Sequence, residues 1–341
     1  MVQDIARLTE LCQKKPFCVF TDLDYTCCVA DDANYETRNY EALGVRRCFM
    51  VPSVRQVFLE LRRRDCPVFF ITGRHWSDRR LDDRTKEYVP DGALNDLLGG
   101  RDSPFAMFDA IAGHGRQIIR NRKVSILKRS DDPARRKAEQ LFERYAGERM
   151  LNIKRMVMSL FPDAAPYVHA EYKKHISYVN IIDYPVRDKR RFDMIFDFMK
   201  KQVNHILTGK DENGAPAKNV PENINGTFVS SLDPRGSVDI RSLSQNKGRA
   251  LIRSGFMEQA FDTGFPVLVM GDSLGPHGTD RDMFLCLKEF FAKRGALGRI
   301  FFLHVLNREE HRIMDKSDPC FPDIVVPSPE ELGKLMLFIT V

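Results

Sequence analysis

Four short segments of this chain carry residue types that can do chemistry together. They are Asp22-Leu23-Asp24-Tyr25-Thr26, Thr72-Gly73-Arg74, Asn246-Lys247-Gly248, and Gly271-Asp272 leading to Thr279-Asp280-Arg281-Asp282. Carboxylates dominate, with no histidine or cysteine at metal-ligand spacing beside them. Such a donor set favours a hard, oxygen-loving cation such as Mg2+ over zinc, and Mg2+ commonly bridges one or two carboxylates to a substrate phosphate. A carboxylate can itself attack phosphorus, and a second one two residues along a loop is placed to protonate the leaving oxygen and later to take a proton from water. A threonine hydroxyl and a lysine ammonium would hold the equatorial oxygens, and charge stabilisation there supplies most of the catalysis in phosphoryl transfer.

Residues up to 250 positions apart meet only if the fold brings them together. An apolar run at 17–20 feeds directly into Asp22 and Asp24. Val54, Phe58 and Leu61 then mark a helix, and a second run at 67–71 ends in Thr72-Gly73-Arg74. This is a β-α-β order. Further strands are predicted at 110–112, 266–270, 300–305 and 324–326, the last followed by a helix ending near Phe338. Strands alternating with helices predict an α/β, doubly wound, mostly parallel three-layer Rossmann-like sheet. In such a sheet the ligand site lies outside the carboxyl ends of the strands, where Asp22, Asp24, Thr72 and Asp272 would converge.

The middle of the chain reads differently. Helices near 133–149 and 188–207, an alternating segment at 175–182, and strands near 227–230 and 237–240 form an α+β pattern, while 208–226 is polar and rich in turn formers. Of the overall charge of +6, residues 113–240 carry 24 basic and 16 acidic side chains, a net of +8, which leaves −2 for the remainder. All eight cysteines lie outside that middle part. The expected organisation is a core of 1–112 and 241–341, split by an inserted basic domain at 113–240, with linkers at 113–123 and 231–242 acting as hinges of a lid.

At 341 residues, with 43% hydrophobic and 29% charged side chains, the chain is long enough for two packed domains. No apolar run reaches the length of a membrane helix, and the opening stretch mixes charges into a helical pattern where a secretion signal would be apolar. The cysteines show no CxxC spacing, so reduced thiols and a cytoplasmic location are expected. The basic insert suits an anionic small substrate. It lacks the basic stripe interleaved with aromatics that nucleic-acid binding uses, and no pattern specifies an oligomeric state.

The order DxDxT, strand-Thr-Gly-Arg, Lys-Gly and strand-Gly-Asp…Asp resembles the haloacid dehalogenase superfamily of phosphotransferases over nearly the whole chain. The resemblance implies that Asp22 is the nucleophile and a metal ligand. Asp24 would be the acid/base, with its backbone carbonyl on the metal, while Thr72 and Lys247 bind phosphate, Asp272 ligates Mg2+, and Asp280 is the second acid of the fourth motif. Thr26, Gly73 and Arg74 would border the substrate. The insert resembles the large cap of the sugar-phosphate phosphatase branches: FITGR, NKGRAL and TDRDMF look like trehalose-phosphate phosphatases, while FTDLD and GDS are as close to sucrose-phosphate and Cof-type enzymes. On the cap, Glu171, Lys173 and Lys174 are candidates to hold a leaving group, and a solvated strand face would show the same residues.

Two departures stand out. Tyr25 occupies a position where many members have glycine, and eight positions separate Asp272 from Asp280, a longer interval than relatives have. These leave room for a phosphate-binding regulator without turnover, and within the same chemistry the alternative is a phosphomutase that shields the aspartyl phosphate from water. His114, between two glycines, reads as a tight turn, His277 as a loop residue, and Cys27 and Cys28 as core fillers whose place beside the nucleophile loop suggests sensitivity to oxidation. Arg187, Lys189, Arg190 and Arg191 read as the wet face of a helix.

Overall fold

The computed structural model describes residues 2–12, 16–30, 48–73, 79–81, 88–90, 108–121, 123–127, 132–173, 176–181, 189–218, 220, 228–233, 236–242, 246–275, 278–306 and 314–340. The chain divides into two compact units, Met1–Leu127 with Asn246–Val341, and Lys128–Gln245.

The first unit opens with helix α1 (Val2–Cys12) and strands β1 (Cys18–Thr21), β2 (Cys28–Ala30) and β3 (Cys48–Met50). Helix α2 (Pro52–Arg63) follows, then β4 (Val68–Ile71), β5 (Arg79–Leu81), β6 (Tyr88–Pro90), β7 (Asp109–Ala112), β8 (Gln117–Arg120) and β9 (Lys123–Ile126). The second unit holds α3 (Pro133–Leu160), β10 (Val168–Lys173), β11 (Ile176–Ile181), α4 (Lys189–Leu207), β12 (Phe228–Asp233) and β13 (Ser237–Ser242). The chain returns to the first unit through α5 (Lys247–Ser254), α6 (Phe256–Asp262), β14 (Val267–Gly271), α7 (Arg281–Ala292), β15 (Ile300–Val305), β16 (Ile324–Val326) and α8 (Pro329–Thr340).

The first unit is built on an eight-stranded sheet in the order β16-β15-β14-β1-β4-β7-β8-β9. β16 to β7 run parallel, and β8 and β9 are antiparallel. β1, β4 and β14 are buried along their whole lengths, which is why their sequences are continuous apolar runs rather than alternating ones. Side chains still alternate by layer. Val19 packs with Val54, Phe58 and Met336 on one face of the sheet, while Cys18 and Phe20 pack with Leu251, Phe256 and Phe284 on the other. From β1 the chain steps outward through β4 and β7, and the later β14, β15 and β16 add on the opposite side, so the strand order reverses at β1. A crevice at the carboxyl ends follows from that reversal.

The second unit is an antiparallel sheet in the order β10-β11-β13-β12, packed with α3 and α4. Phe142, Ala146, Met150, Ile153 and Val157 of α3, and Ile195, Met199, Val203 and Ile206 of α4, recur at intervals of three and four, and each set packs onto Val168, Val179, Ile181, Val238 and Ile240. Asp132 starts α3 by accepting the Ala134 N–H at 2.9 Å, with Pro133 in the first turn.

The division of the chain falls later than the expected 112/113 and 240/241. The segment 113–123 is not a linker, because Gly113, His114 and Gly115 all have left-handed φ (58°, 49° and 94°) and turn the chain back antiparallel to β7. Ile118 and Ile119 of β8 then enter the two layers of the first core. At the other end, 237–242 is β13, paired with both β11 and β12 inside the second sheet. Helix α3 also extends to Leu160, beyond the expected 149, and β10 adds a strand ahead of the predicted 175–182.

Candidate active site

Asp22 is the first residue after β1. Parallel pairing of Thr21 with Met270 and Phe70 places it level with the ends of β14 and β4, and its N–H donates to the Met270 carbonyl at 3.0 Å. The loop behind it winds on one acceptor: the Leu23 carbonyl takes the N–H groups of Thr26, Cys27 and Cys28 at 3.3, 3.0 and 2.9 Å. That winding turns the Thr26 hydroxyl toward Asp272, with Oγ1 donating to Oδ1 at 3.4 Å. Cys27 and Cys28 are fully buried, and burial lifts the Cys27 thiol to about 12, with the Asp22 and Asp272 charges adding to it against the Thr21 hydroxyl. They are core fillers; at that pKa the reactive thiolate of Cys27 is absent at neutral pH.

Asp272 follows β14, and the eight-position interval to Asp280 closes on itself. Ser273 accepts twice, its carbonyl from the Asp280 N–H at 3.0 Å and its Oγ from the Thr279 N–H at 3.3 Å. Gly278 is obligatory in this closure, since a Cβ there would stand 2.1 Å from the Ser273 oxygen. Asp280 precedes α7 yet does not cap it. Its Oδ2 accepts the N–H groups of Asp272 and Ser273, both at 3.1 Å. The long interval therefore returns Asp280 to Asp272. On the neighbouring strand, His304 is 4% exposed and its Nε2 lies 3.0 Å from the Asp272 carbonyl, which can only accept, so Nε2 carries the hydrogen.

Lys247 is the first residue of α5, a helix started by Asn246, whose Oδ1 accepts the Arg249 N–H at 2.7 Å. A Cβ on Gly248 would meet the Asp282 oxygen at 2.5 Å, so glycine lets α5 approach the start of α7. Lys247 Nζ donates to Asp22 Oδ1 at 2.8 Å and to Asp280 Oδ1 at 2.5 Å, and the lysine is 2% exposed. Asp22, Asp272 and Asp280 each offer an oxygen within 4.8 Å of the others.

Among the described residues, one ammonium, that of Lys247, faces three buried carboxyl groups. Burial pushes Asp22 up to about 7; the Lys247 charge and hydrogen bond oppose the rise, and the Asp280 and Asp24 charges add to it. For Lys247 burial disfavours the charge, but Asp22 and Asp280 outweigh it and hold the ammonium above its ordinary range. A donor set of clustered carboxylate oxygens fits a hard divalent cation such as Mg2+. Asp22, Asp272 and Asp280 are the residues that would hold it.

Thr72 is fully buried at the end of β4, with its N–H on the Ile111 carbonyl at 2.8 Å and its own carbonyl accepting from the His114 N–H at 3.3 Å. His114 is thus more than a turn. A Cβ on Gly73 would stand 2.4 Å from its Nε2, and a Cβ on Gly115 would stand 2.4 Å from the Asn246 oxygen. The Gly-His-Gly turn is wedged between the Thr72 loop and the helix that carries Lys247. Asp24 is half-buried on the loop that follows β1. Glu171 and Lys173 lie two apart on β10 of the second unit, hence at positions on one face of its sheet. Arg74, Lys174, Arg187 and His277 lie outside the described residues. His304, Ser273 and the seat of His114 on Gly73 were not foreseen; the Gly-His-Gly string was the only available signal, and it identified a turn without its neighbour.

No protein-family model matches the chain, and no curated protein matches its sequence. Solved structures do. The C-terminal domain of the Candida albicans trehalose-6-phosphate phosphatase aligns with a TM-score of 0.58 at 14% identity, covering 99% of this chain and 96% of that one. The C-terminal domain of the Candida albicans trehalose synthase regulatory protein aligns with a TM-score of 0.52 at 11% identity, covering 99% and 98%. At such identities the likeness is one of fold: a doubly wound α/β core carrying an inserted α+β unit.

Proposed function

We propose that the chain is a Mg2+-dependent phosphomonoesterase that removes phosphate from a sugar phosphate or a similar small phosphorylated metabolite. The observation that carries this reading is the buried cluster in which Lys247 bridges Asp22 and Asp280 beside Asp272, at the point where the strand order reverses. One of the two similar structures is a phosphatase and the other a regulatory protein, so the side chains rather than the fold support turnover.

In this reading Asp22 attacks phosphorus in line, the P–O bond to the leaving group breaks, and Asp24 gives that oxygen its proton. Asp24, now a carboxylate, takes a proton from water, which attacks the aspartyl phosphate and restores Asp22. Lys247 and Thr72 hold the equatorial oxygens, and Asp280 orients Lys247 through the bond to Nζ. A divalent cation held by Asp22, Asp272 and Asp280 would neutralise phosphate charge. The basic second unit, with Glu171 and Lys173 on one strand, serves as the cap that selects the leaving group and excludes water. The described cysteine side chains form no disulfide, and no described helix is long and apolar enough to cross a membrane.

Phosphate release from trehalose 6-phosphate, sucrose 6-phosphate and an aryl phosphate, with Mg2+ or EDTA, tests this for the wild type and Asp22→Asn. Turnover with metal only, abolished in Asp22→Asn, is expected. A product isomer without free phosphate would indicate a mutase. Inactivity of both proteins on every compound would leave a phosphate-binding regulator as the better account.

A further inference from the structure

Among the described residues, four other than glycine have φ in the left-handed region: Tyr25 (61°), Asp65 (54°), His114 (49°) and Asn121 (47°). Aspartate, asparagine and histidine visit this region several-fold more readily than other side chains, whereas a bulky aromatic there is an outlier. Asp65 lies in the turn after α2, where its N–H bonds the Arg62 carbonyl at 3.0 Å, and Asn121 lies in the turn between β8 and β9. Tyr25 lies in the nucleophile loop, between Asp24 and Thr26.

The backbone there needs the left-handed conformation. The chain must reverse tightly enough for the Leu23 carbonyl to take three N–H groups while the Tyr25 N–H reaches the Cys28 carbonyl at 3.0 Å. Glycine meets that requirement without strain. Leu23, Cys27 and Cys28 of the same loop are buried in the core, whereas Tyr25 is half-exposed. A half-exposed aromatic held in a strained backbone conformation next to Asp24 points to function, because such outliers persist at ligand sites.

We infer that Tyr25 is a specificity-determining residue that borders the leaving group of a ring-bearing phosphate ester. This rests on the proposed phosphomonoesterase reading, in which the adjacent Asp24 delivers its proton to the leaving oxygen. A phenol offers an apolar face for the C–H side of a sugar ring and a hydroxyl for its oxygens. A phosphate ester with a small leaving group has nothing to place against it.

The test compares the wild type with Tyr25→Gly, Tyr25→Asn and Tyr25→Phe, with trehalose 6-phosphate and sucrose 6-phosphate as ring-bearing probes and methyl phosphate as the small one. For Tyr25→Gly the ratio of kcat/KM between ring-bearing and small substrates is expected to fall by about tenfold or more. Its Tm is expected to rise by about 1–3 °C as strain is relieved. Tyr25→Asn, which tolerates the backbone but lacks the ring, should lose the same preference, and Tyr25→Phe should retain most of it. An unchanged ratio in Tyr25→Gly, or a Tm lowered by several degrees, overturns the assignment while a wild type that turns over keeps the phosphatase reading standing. A wild type that releases no phosphate from any of the three probes overturns both.

Discussion

Lys247 shows how much the site demands of single residues. Its ammonium, 2% exposed, is shared by Asp22 and Asp280, and removing one partner of a buried ionic group leaves the others uncompensated. Lys247→Ala is expected to cost about 3–5 kcal/mol in urea unfolding with EDTA present, and the deficit should shrink when Mg2+ restores a counter-charge. The pH window has two edges: the folded-state pKa of Lys247 lies above the ordinary 10.5, so its contribution is lost as pH climbs through that pKa, and because burial pushes Asp22 up to about 7 the charged pair with Asp22 also weakens as pH falls through that value. A cost below about 1 kcal/mol would mean that the carboxylates simply take up protons or water instead. The four residues of this cluster were legible in the sequence: strand ends and residue types pointed to Asp22 and Asp272, and the resemblance to the haloacid dehalogenase motifs added Lys247 and Asp280. His304 was not, since a histidine inside an apolar strand looks the same whether or not its Nε2 meets the carbonyl of a site residue.

Between elements, contacts across the sheet matter more than local preference. Gly73 and His114 come from different strand ends, and the imidazole occupies the space where a Cβ on residue 73 would stand. Gly73→Ala should destabilise the fold by about 1–3 kcal/mol through overpacking and weaken phosphate binding through Thr72. In a His114→Ala background the same change should cost much less, and that non-additivity, read from the double-mutant cycle by thermal unfolding and KM, is the signature of direct contact. Equal effects in both backgrounds would show that Gly73 is required for its backbone alone. The main parallel strands were readable as apolar runs buried on both faces, whereas β8 and β9 were missed. β9 is exposed along its length, and no apolar pattern distinguishes such an edge strand from a linker.

Taken whole, the molecule keeps its candidate catalytic side chains within one unit. Leu127 bonds its N–H to the Arg116 carbonyl at 2.9 Å, next to Gly115, which packs against Asn246. The two ends at which the second unit departs are therefore close together. Replacing Lys128–Gln245 with a short Gly/Ser linker is expected to give a chain that unfolds cooperatively and gains Tm on adding Mg2+, while losing any preference among sugar phosphates. A shortened chain without cooperative unfolding would show that the first unit depends on the second for its stability.

The sequence by itself determined the α/β class, the place of an α+β insert between the Thr72 and Lys247 segments, and the set of carboxylates, because burial on both faces and the order of polar residues are written locally. Only the tertiary structure decided how those residues meet. The lengthened interval from Asp272 to Asp280 was ambiguous as spacing, and hydrogen bonds to Ser273 close it so that Asp280 reaches both Lys247 and the Asp272 N–H. Tyr25 was ambiguous as a residue type, and its meaning depends on a left-handed φ imposed by the Leu23 carbonyl. Loop closure and backbone handedness arise from contacts between residues distant along the chain or from turns with several possible outcomes, and neither leaves a periodic trace in the sequence.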